Sequence, residues 1–187
     1  IKGLKMRIPG IGGEVFKRAG GVPVNIPGGE LYTALQTGVI DATEWVGPYN
    51  DLAFGFQQIA KYYYFPGWHE PGSMLEFIIN LDAWNELPTH LQSIVKTAAK
   101  AVNQDLLDEY TAMNNQALRE LIDVHNVQLK KLPDDVINEF RVISKSVLDE
   151  IAENDNQFKS IYESYLKFKS EVVSYHEISE DAYTKIR

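Results

Sequence analysis

The sequence contains no cysteine, and it contains no glycine after Gly72 although the chain runs to 187 residues. The lack of cysteine excludes disulfide bonds, thiolate metal sites and cysteine nucleophiles. No apolar stretch approaches the roughly 18 residues that a membrane-spanning helix needs. The chain opens on Ile1 without a Met and without the basic and apolar segments of a signal peptide, which says nothing about its compartment.

The negative charge of the sequence lies in its second part. Residues 1–72 hold six acidic and six basic residues, so the formal net charge of −8 belongs to residues 73–187. Nucleic acids and anionic membranes bind to clustered Lys and Arg, and no such cluster is present. We therefore expect neither as a partner. The hydrophobic content of 44% is enough for one good core or two modest lobes.

Turn-forming residues are concentrated in residues 1–72, which hold all 13 glycines and six of the eight prolines. Between these turns the apolar pattern alternates between strand and helix periods. The predicted strands are Leu4–Ile8, Val22–Ile26 and Val39–Trp45, and the predicted helices are Gly13–Ala19, Glu30–Thr37 and about Pro48–Ala60. Such alternation predicts an α/β lobe with a mostly parallel sheet, whose ligand would lie beyond the carboxyl ends of the strands.

The second part of the chain is predicted to be helical after a strand around Leu75–Ile79. Apolar residues at steps of three or four predict one helix from Pro88 to His125. At about 1.5 Å per residue it would be about 55 Å long, so it either braces two lobes or bends. A return strand at Val127–Leu132 and two helices, about Asp134–Glu153 and Asp155–Tyr175, are predicted to follow.

These patterns divide the chain into three predicted regions. Residues 1–72 form the α/β ligand-binding lobe, and residues 73–132 form a crossing strand, the long bracing helix and the return strand. Residues 133–187 form C-terminal helices.

The segment Asp41–Pro48 is predicted to line a site for a small carboxylic acid. Arg7 ends the first strand, and its planar guanidinium matches a carboxylate at two points, which lysine cannot imitate. Glu44 ends the third strand, and together with Glu70 in the aromatic turn near Trp68 it offers oxygen ligands to a hard cation such as Ca²⁺ or Na⁺. By position alone, an arginine at a strand end is more often an ordinary surface residue, and a glutamate there is usually a solvated residue or a helix cap. Trp45 and Trp68 are equally compatible with the core.

These residues favour an enzyme less than a binding protein. The run from Gly10 to Val15 lies where a dinucleotide-binding loop would lie, but the third glycine position holds Val15 and no acidic residue ends the next strand. The four histidines are scattered, and no zinc-protease, serine-hydrolase or phosphate-loop motif is present. Glu44 and Glu70 could form an acid/base pair, but without a nucleophile. We expect a binding protein, with a Rossmann-type enzyme or a helical interaction module as alternatives.

Four stretches carry a family resemblance: KGLKMRIPG (Lys2–Gly10), GGEVFKRAGGVPVNIPGGELYTALQTGVIDATEW (Gly12–Trp45), GPYND (Gly47–Asp51) and YYYFPGWHEPG (Tyr62–Gly72). They resemble the solute-binding subunits of TRAP transporters, which are extracytoplasmic receptors of the DctP type. The resemblance is strongest to the branch that binds 2-oxo acids or lactate with a metal ion. It covers essentially the whole chain, although beyond about Leu87 it is a matter of helix pattern and length.

The resemblance implies a role for each matching residue. Arg7 falls on the arginine that holds the ligand carboxylate, and Trp45 and Trp68 are predicted to line the same substrate site. Glu44 would give a side-chain oxygen to the metal, Trp45 its main-chain carbonyl, and Glu70 a further oxygen. The implied cofactor is Ca²⁺ or Na⁺, and the implied ligand is a small monocarboxylate such as pyruvate or lactate.

The resemblance also implies an architecture and a setting. It implies the fold of a type II periplasmic-binding-protein lobe, a periplasmic location, membrane subunits of a TRAP transporter as partners, and a homodimer through the C-terminal helices from Asp155. Because the chains of the family are much longer, this one would begin where their second lobe begins, without the N-terminal lobe.

Overall fold

A computed structural model of the chain describes residues 1–72 and 75–187. These residues form two compact units, Ile1–Ile137 and Asn138–Arg187. The first unit contains two small sheets with their helices, and the second contains helices alone. The predicted boundary at Ser73 lies outside the described residues.

The first sheet has three parallel strands, with β1 (Lys5–Arg7) between β2 (Val22–Val24) and β3 (Ala42–Thr43). Helix α1 (Gly10–Arg18) connects β1 to β2, and helix α2 (Leu31–Gln36) precedes β3. The predicted α/β alternation and parallel sheet are confirmed, with strands shorter than predicted. Strand β3 is only two residues long partly because the Asp41 carboxylate, and not a strand carbonyl, accepts the Lys5 amide at 2.9 Å.

A small apolar core supports one side of this sheet. It consists of four buried residues: Leu31, Ala34, Ile40 and Phe56. Partly buried residues that follow β2 and β3, including Ile26 and Trp45, pack against it. Burial of a large aliphatic side chain contributes about 1.5–3 kcal/mol. The core therefore fixes the backbone just where these two strands end.

The chain after β3 differs in part from the prediction. Helix α3 covers only Pro48–Ala53, because Gly55 adopts a left-handed conformation (φ 77°) and a 3₁₀ turn, Phe56–Gln58, follows. The tyrosine run forms strand β4 (Tyr62–Phe65), which pairs in parallel with β5 (Gln128–Lys131).

The strand predicted at Leu75–Ile79 is wrong for this chain. Residues 75–80 pair with no other strand among the described residues. The side chains of Leu75, Phe77 and Ile78 are 64%, 73% and 82% exposed. An apolar segment of strand-like composition forms a strand only where a neighbouring strand can pair with it.

The long helix is confirmed as α5 (Thr89–Asp123), which has 35 residues and follows the short α4 (Leu81–Glu86). Beyond β5 the chain forms three helices: α6 (Asp134–Asn154), α7 (Asn156–Ile178) and α8 (Glu180–Ile186). The Asp155 side chain accepts the Phe158 amide at 2.9 Å, a cap that begins α7. In the described part of the chain, no helix combines the length and the apolar character needed to cross a membrane.

The close approach of α1 to the end of β1 gives a test of the fold. A Cβ atom at Gly13 would lie 2.5 Å from the Ile8 carbonyl oxygen, which is fixed backbone. We expect Gly13→Ala to lower the free energy of unfolding by about 1–3 kcal/mol in urea titrations, because the helix has to shift. A Cβ at Gly29 would meet no described atom within 4 Å, so Gly29→Ala should cost less than about 0.5 kcal/mol. Equal losses would contradict this packing.

Candidate functional site

Arg7 lies at the carboxyl end of the central strand and bridges the ends of both neighbouring strands. Its Nε donates a hydrogen bond to the carbonyl of Ile26, just beyond β2, at 3.2 Å. Its Nη1 forms an ion pair with Oε1 of Glu44, which follows β3. Because the chain moves from β1 to β2 on one side and returns to β3 on the other, this is the switch point at which ligands bind in open parallel sheets.

The Trp45 ring packs beside the Arg7 guanidinium and against the core at the same time. The Arg7 Cζ atom lies 5.7 Å from the ring centre, within the range of a cation–π contact. The ring centre of Phe54 lies 5.0 Å away on another side. A Cβ at Gly28 would come within 2.5 Å of the Trp45 ring, so only glycine fits at that position. The core therefore fixes the Trp45 ring, and the ring in turn orients the Arg7 guanidinium.

The turn before Gly72 brings a second set of polar groups to the Glu44 carboxylate. Among the described residues, Glu44, His69 and Glu70 each offer a ligand atom, and these atoms lie within 4.8 Å of one another. His69 Nε2 is 3.8 Å from Glu44 Oε2, and the Trp68 ring centre lies 5.2 Å from that of His69. Two carboxylates so close together fit a hard cation, and an imidazole can complete or orient such a set.

Two buried nitrogen atoms at this place have no hydrogen-bond partner among the described residues, Nε1 of Trp45 and Nδ1 of His69. Buried polar atoms are nearly always paired in folded proteins. Trp45 is in contact with Arg7, and His69 is in contact with Glu44. The region around this pair therefore contains polar atoms that lack hydrogen-bond partners.

The structure brings all five sequence-predicted site residues to one edge of the sheet. Arg7 contacts Glu44 and Trp45 directly, Glu70 belongs to the cluster of possible ligands, and Trp68 reaches it through His69. Within the predicted lining segment, Asp41 does not take part, because its carboxylate accepts the Lys5 amide at the opposite end of β1.

Sequence reasoning missed His69 and Asp51 as parts of this region. His69 is one of four histidines that are scattered along the sequence, and its position beside Glu70 in the WHEPG turn is the signal that points to this region. Asp51, on α3, is 7% exposed and accepts a hydrogen bond of 2.6 Å from the Tyr63 hydroxyl on β4. Its environment depends on a contact between distant segments, which no local pattern reveals.

Comparison with known proteins identifies the family of this chain. Residues 1–155 match the family described as bacterial extracellular solute-binding protein, family 7, or DctP. The chain belongs to this family. It is 42% identical over 183 residues to the monocarboxylate 2-oxoacid-binding periplasmic protein of Nostoc sp. (strain PCC 7120), covering 98% of the chain and 50% of that relative.

Two solved structures extend the comparison. The TRAP periplasmic solute-binding protein from Colwellia psychrerythraea, with bound calcium and pyruvate, matches at TM-score 0.94 and 42% identity, over 100% of this chain and 57% of that one. The protein from Pseudoalteromonas atlantica T6c, with bound sodium and pyruvate, matches at TM-score 0.92 and 40% identity, over 98% and 56%. The chain thus spans about half the length of these relatives.

The comparisons confirm three predictions made from the sequence. The resemblance to DctP-type receptors and the fold class of such a receptor lobe are both confirmed. The family consists of solute-binding proteins, so the expectation of a binding protein instead of an enzyme is confirmed as well. The Rossmann-type enzyme and the helical interaction module receive no support from the comparisons.

Asp51 gives a pH test of this region. Burial raises the pKa of its carboxyl from 3.8 to about 6, and the Tyr63 hydrogen bond opposes the increase. Above pH 6 the folded state therefore carries a buried charge at a cost, which is relieved as the pH falls toward 4. We expect the unfolding free energy of the wild type relative to Asp51→Asn to rise by up to about 3 kcal/mol between pH 7 and pH 4.

The measurement is urea unfolding at several pH values, with Tyr63→Phe as the companion variant. Loss of the tyrosine hydrogen bond removes the effect that lowers the Asp51 pKa, so the pH at which the stability changes should move upward. A difference between wild type and Asp51→Asn that stays constant over this range would refute the assignment.

Proposed function

We propose that the chain is the second lobe of an extracytoplasmic receptor of a TRAP transporter. In this proposal it binds a small 2-oxo or 2-hydroxy monocarboxylate, such as pyruvate or lactate, together with Ca²⁺ or Na⁺. The observation that carries the proposal is the Arg7–Glu44 pair at the switch point of the sheet, with His69 and Glu70 beside it. The relatives from Colwellia and Pseudoalteromonas, which hold pyruvate with calcium or sodium, support the same ligand class.

In this proposal Arg7 binds the carboxylate of the ligand. Its Nε already donates a hydrogen bond to the Ile26 carbonyl, and the guanidinium lies beside the Trp45 ring. These two contacts hold the guanidinium in one orientation. The side chain is only 14% exposed, which strengthens its interaction with an anion. An oriented, weakly solvated guanidinium loses little freedom when a carboxylate binds, and this favours affinity.

The cation would be held by the Glu44 carboxylate, the Trp45 carbonyl and Glu70. Hard cations such as Ca²⁺ take carboxylate and carbonyl oxygens, and these three groups supply both kinds. Arg7 brings one positive charge and the two glutamates bring two negative charges. A divalent cation and a monocarboxylate together would therefore leave the region neutral, whereas either one alone would leave it charged.

The proposed setting is the periplasm, with the membrane subunits of a TRAP transporter as partners. The support is the extracellular family to which the chain belongs and the periplasmic TRAP receptors that match it. The relatives are about twice as long, so we propose that a further N-terminal lobe closes the other side of the cleft. Residues 1–72 would then form the ligand-binding lobe, with the long helix as a brace.

The central test is the response of the intact receptor to pyruvate and lactate. We expect either acid, in the presence of calcium, to raise the melting temperature of the wild type. Arg7→Lys keeps the charge but not the planar fork, so we expect its affinity to fall by about 100-fold, and the shift to disappear in Arg7→Ala. The measurements are thermal unfolding and isothermal titration calorimetry.

The matched control is Arg18→Lys, because Arg18 pairs with Glu14 on the surface of α1, away from the sheet edge. It should bind the acid as the wild type does. Absence of any shift with monocarboxylates in the wild type, or equal losses in the Arg7→Lys and Arg18→Lys variants, would contradict the proposal.

We also propose that the receptor forms a homodimer through α7. Five apolar residues of this helix recur at alternating steps of four and three and are 43–71% exposed: Ile161, Tyr165, Phe168, Val172 and Tyr175. This spacing gives one apolar stripe of the kind that pairs with a second helix. A second copy of the same helix would cover it symmetrically, as in most homodimers.

Replacing two residues of the stripe tests the dimer. We expect Phe168→Asp with Val172→Asp to shift the protein from dimer to monomer in analytical ultracentrifugation, because charges would have to be buried at the interface. Val142→Asp, on a residue of α6 that is 71% exposed, is the control for an added surface charge. A wild type that remains monomeric at all concentrations would refute the homodimer.

A further inference from the structure

Helix α3 begins without a side chain of its own to cap it. Its N-cap residue is Gly47, which has no side chain, and its first residue is Pro48, which has no amide hydrogen. Tyr49 therefore has the first free amide of the helix, and such amides need an acceptor from outside the helix. The loop before it, residues 44–47, contains Glu44 and the Trp45 carbonyl.

The acceptor comes from the long helix α5. Oδ1 of Asn114 lies 3.0 Å from the Tyr49 amide nitrogen, 65 residues apart in the sequence. A Cβ atom at Gly47 would lie 3.1 Å from the same Asn114 oxygen, so the loop backbone passes directly beside this side chain. Asn114 is half-buried there. Asn114 therefore caps the N-terminus of α3 from another helix, whereas an N-cap residue normally supplies the acceptor from the helix's own end.

Neighbouring residues of α5 strengthen the same contact. The Tyr110 ring packs edge-on against that of Tyr49, with ring centres 5.9 Å apart, and its hydroxyl accepts a hydrogen bond of 3.2 Å from Asn50. The Tyr49 hydroxyl donates to Glu109 at 3.2 Å. These contacts hold α3 on α5, but among them only the Asn114 bond acts on the backbone where the loop ends.

The loop is thus fixed at both ends. At its start, Thr43 is paired in register with Arg7, and its hydroxyl donates to the Glu44 carbonyl at 2.8 Å. At its end, the Asn114 oxygen fixes the first turn of α3. Only residues 44–48 separate Thr43 from Tyr49, so the Asn114 bond acts on Glu44 and Trp45 through a short stretch of backbone.

We propose that Asn114 is a positioning residue for the cation site. Its side-chain oxygen sets the position of the loop and thereby that of the Glu44 carboxylate and the Trp45 carbonyl. The inference rests on the cation site proposed above. Residues that orient metal ligands without touching the metal commonly change its affinity by about 10-fold to 100-fold when they are replaced.

The experiment uses the intact receptor and Tb³⁺, which substitutes for calcium. A nearby indole sensitises the luminescence of bound Tb³⁺, and added Ca²⁺ displaces the ion and lowers that luminescence. We expect Asn114→Ala to weaken the affinity for Tb³⁺ and Ca²⁺ by about 10-fold or more and to change the luminescence per bound ion, because Trp45 moves relative to the ion. Asn114→Asp retains the acceptor oxygen and should restore both quantities.

Two controls separate positioning from stability. Asn115→Ala removes an exposed neighbour whose side chain binds Arg119, and Tyr110→Phe removes a hydrogen bond from the same helix contact but leaves the cap. Both should bind the ion as the wild type does. If Asn114→Ala is too unstable to measure, Asn114→Leu has similar volume without the acceptor and should show the same loss.

The outcomes distinguish this inference from the proposed function. Two results would remove the cation site and the inference with it. One is a wild type that binds neither Tb³⁺ nor Ca²⁺, and the other is a Glu44→Gln variant that binds these ions with the same affinity as the wild type. A wild type that binds them while Asn114→Ala and Asn114→Leu match Asn115→Ala would overturn the inference alone. Loss of affinity that Asn114→Asp does not restore would also overturn it.

Discussion

The ion pair between Arg7 and Glu44 is the interaction on which the rest of the site depends. Strand order sets it: β1 lies between β2 and β3, so the ends of all three strands meet where Arg7 lies. Both side chains are only 14% exposed, and two charges removed from water gain little net stability from each other. In the proposed function, each partner of this pair is suited to a ligand of opposite charge. When ligands bind, Arg7 would contact the ligand carboxylate and Glu44 would contact the cation, in place of the contact between the two side chains.

The surroundings of this pair keep both partners in place. The Ile26 carbonyl and the Trp45 ring orient the guanidinium, while Gly28 leaves room for that ring against the core. On the other side, the turn with His69 and Glu70 approaches Glu44. Much of what holds this region in place is thus backbone or aromatic packing, which changes little when a ligand binds. A preorganised site of this kind loses less conformational entropy on binding.

Much of the sheet edge could be predicted from the sequence, because its logic is local. Alternating strand and helix periods gave the parallel sheet, and residues at strand ends, Arg7 and Glu44, follow from the rule that ligands bind there. The parts that could not be predicted depend on contacts between distant segments. The pairing of β4 with β5, the Asn114 cap on α3 and the burial of Asp51 each join residues that no short pattern connects. The segment at Leu75–Ile79 shows the reverse case, since its composition favours a strand but no described strand pairs with it.

The proposed site is tested most directly by a crystal structure of the intact receptor grown with calcium and pyruvate. We expect that the Arg7 guanidinium contacts the pyruvate carboxylate, and that strong density with oxygen neighbours from Glu44, the Trp45 carbonyl and Glu70 marks the cation. Pyruvate bound elsewhere, with Arg7 and Glu44 still paired only to each other, would contradict it.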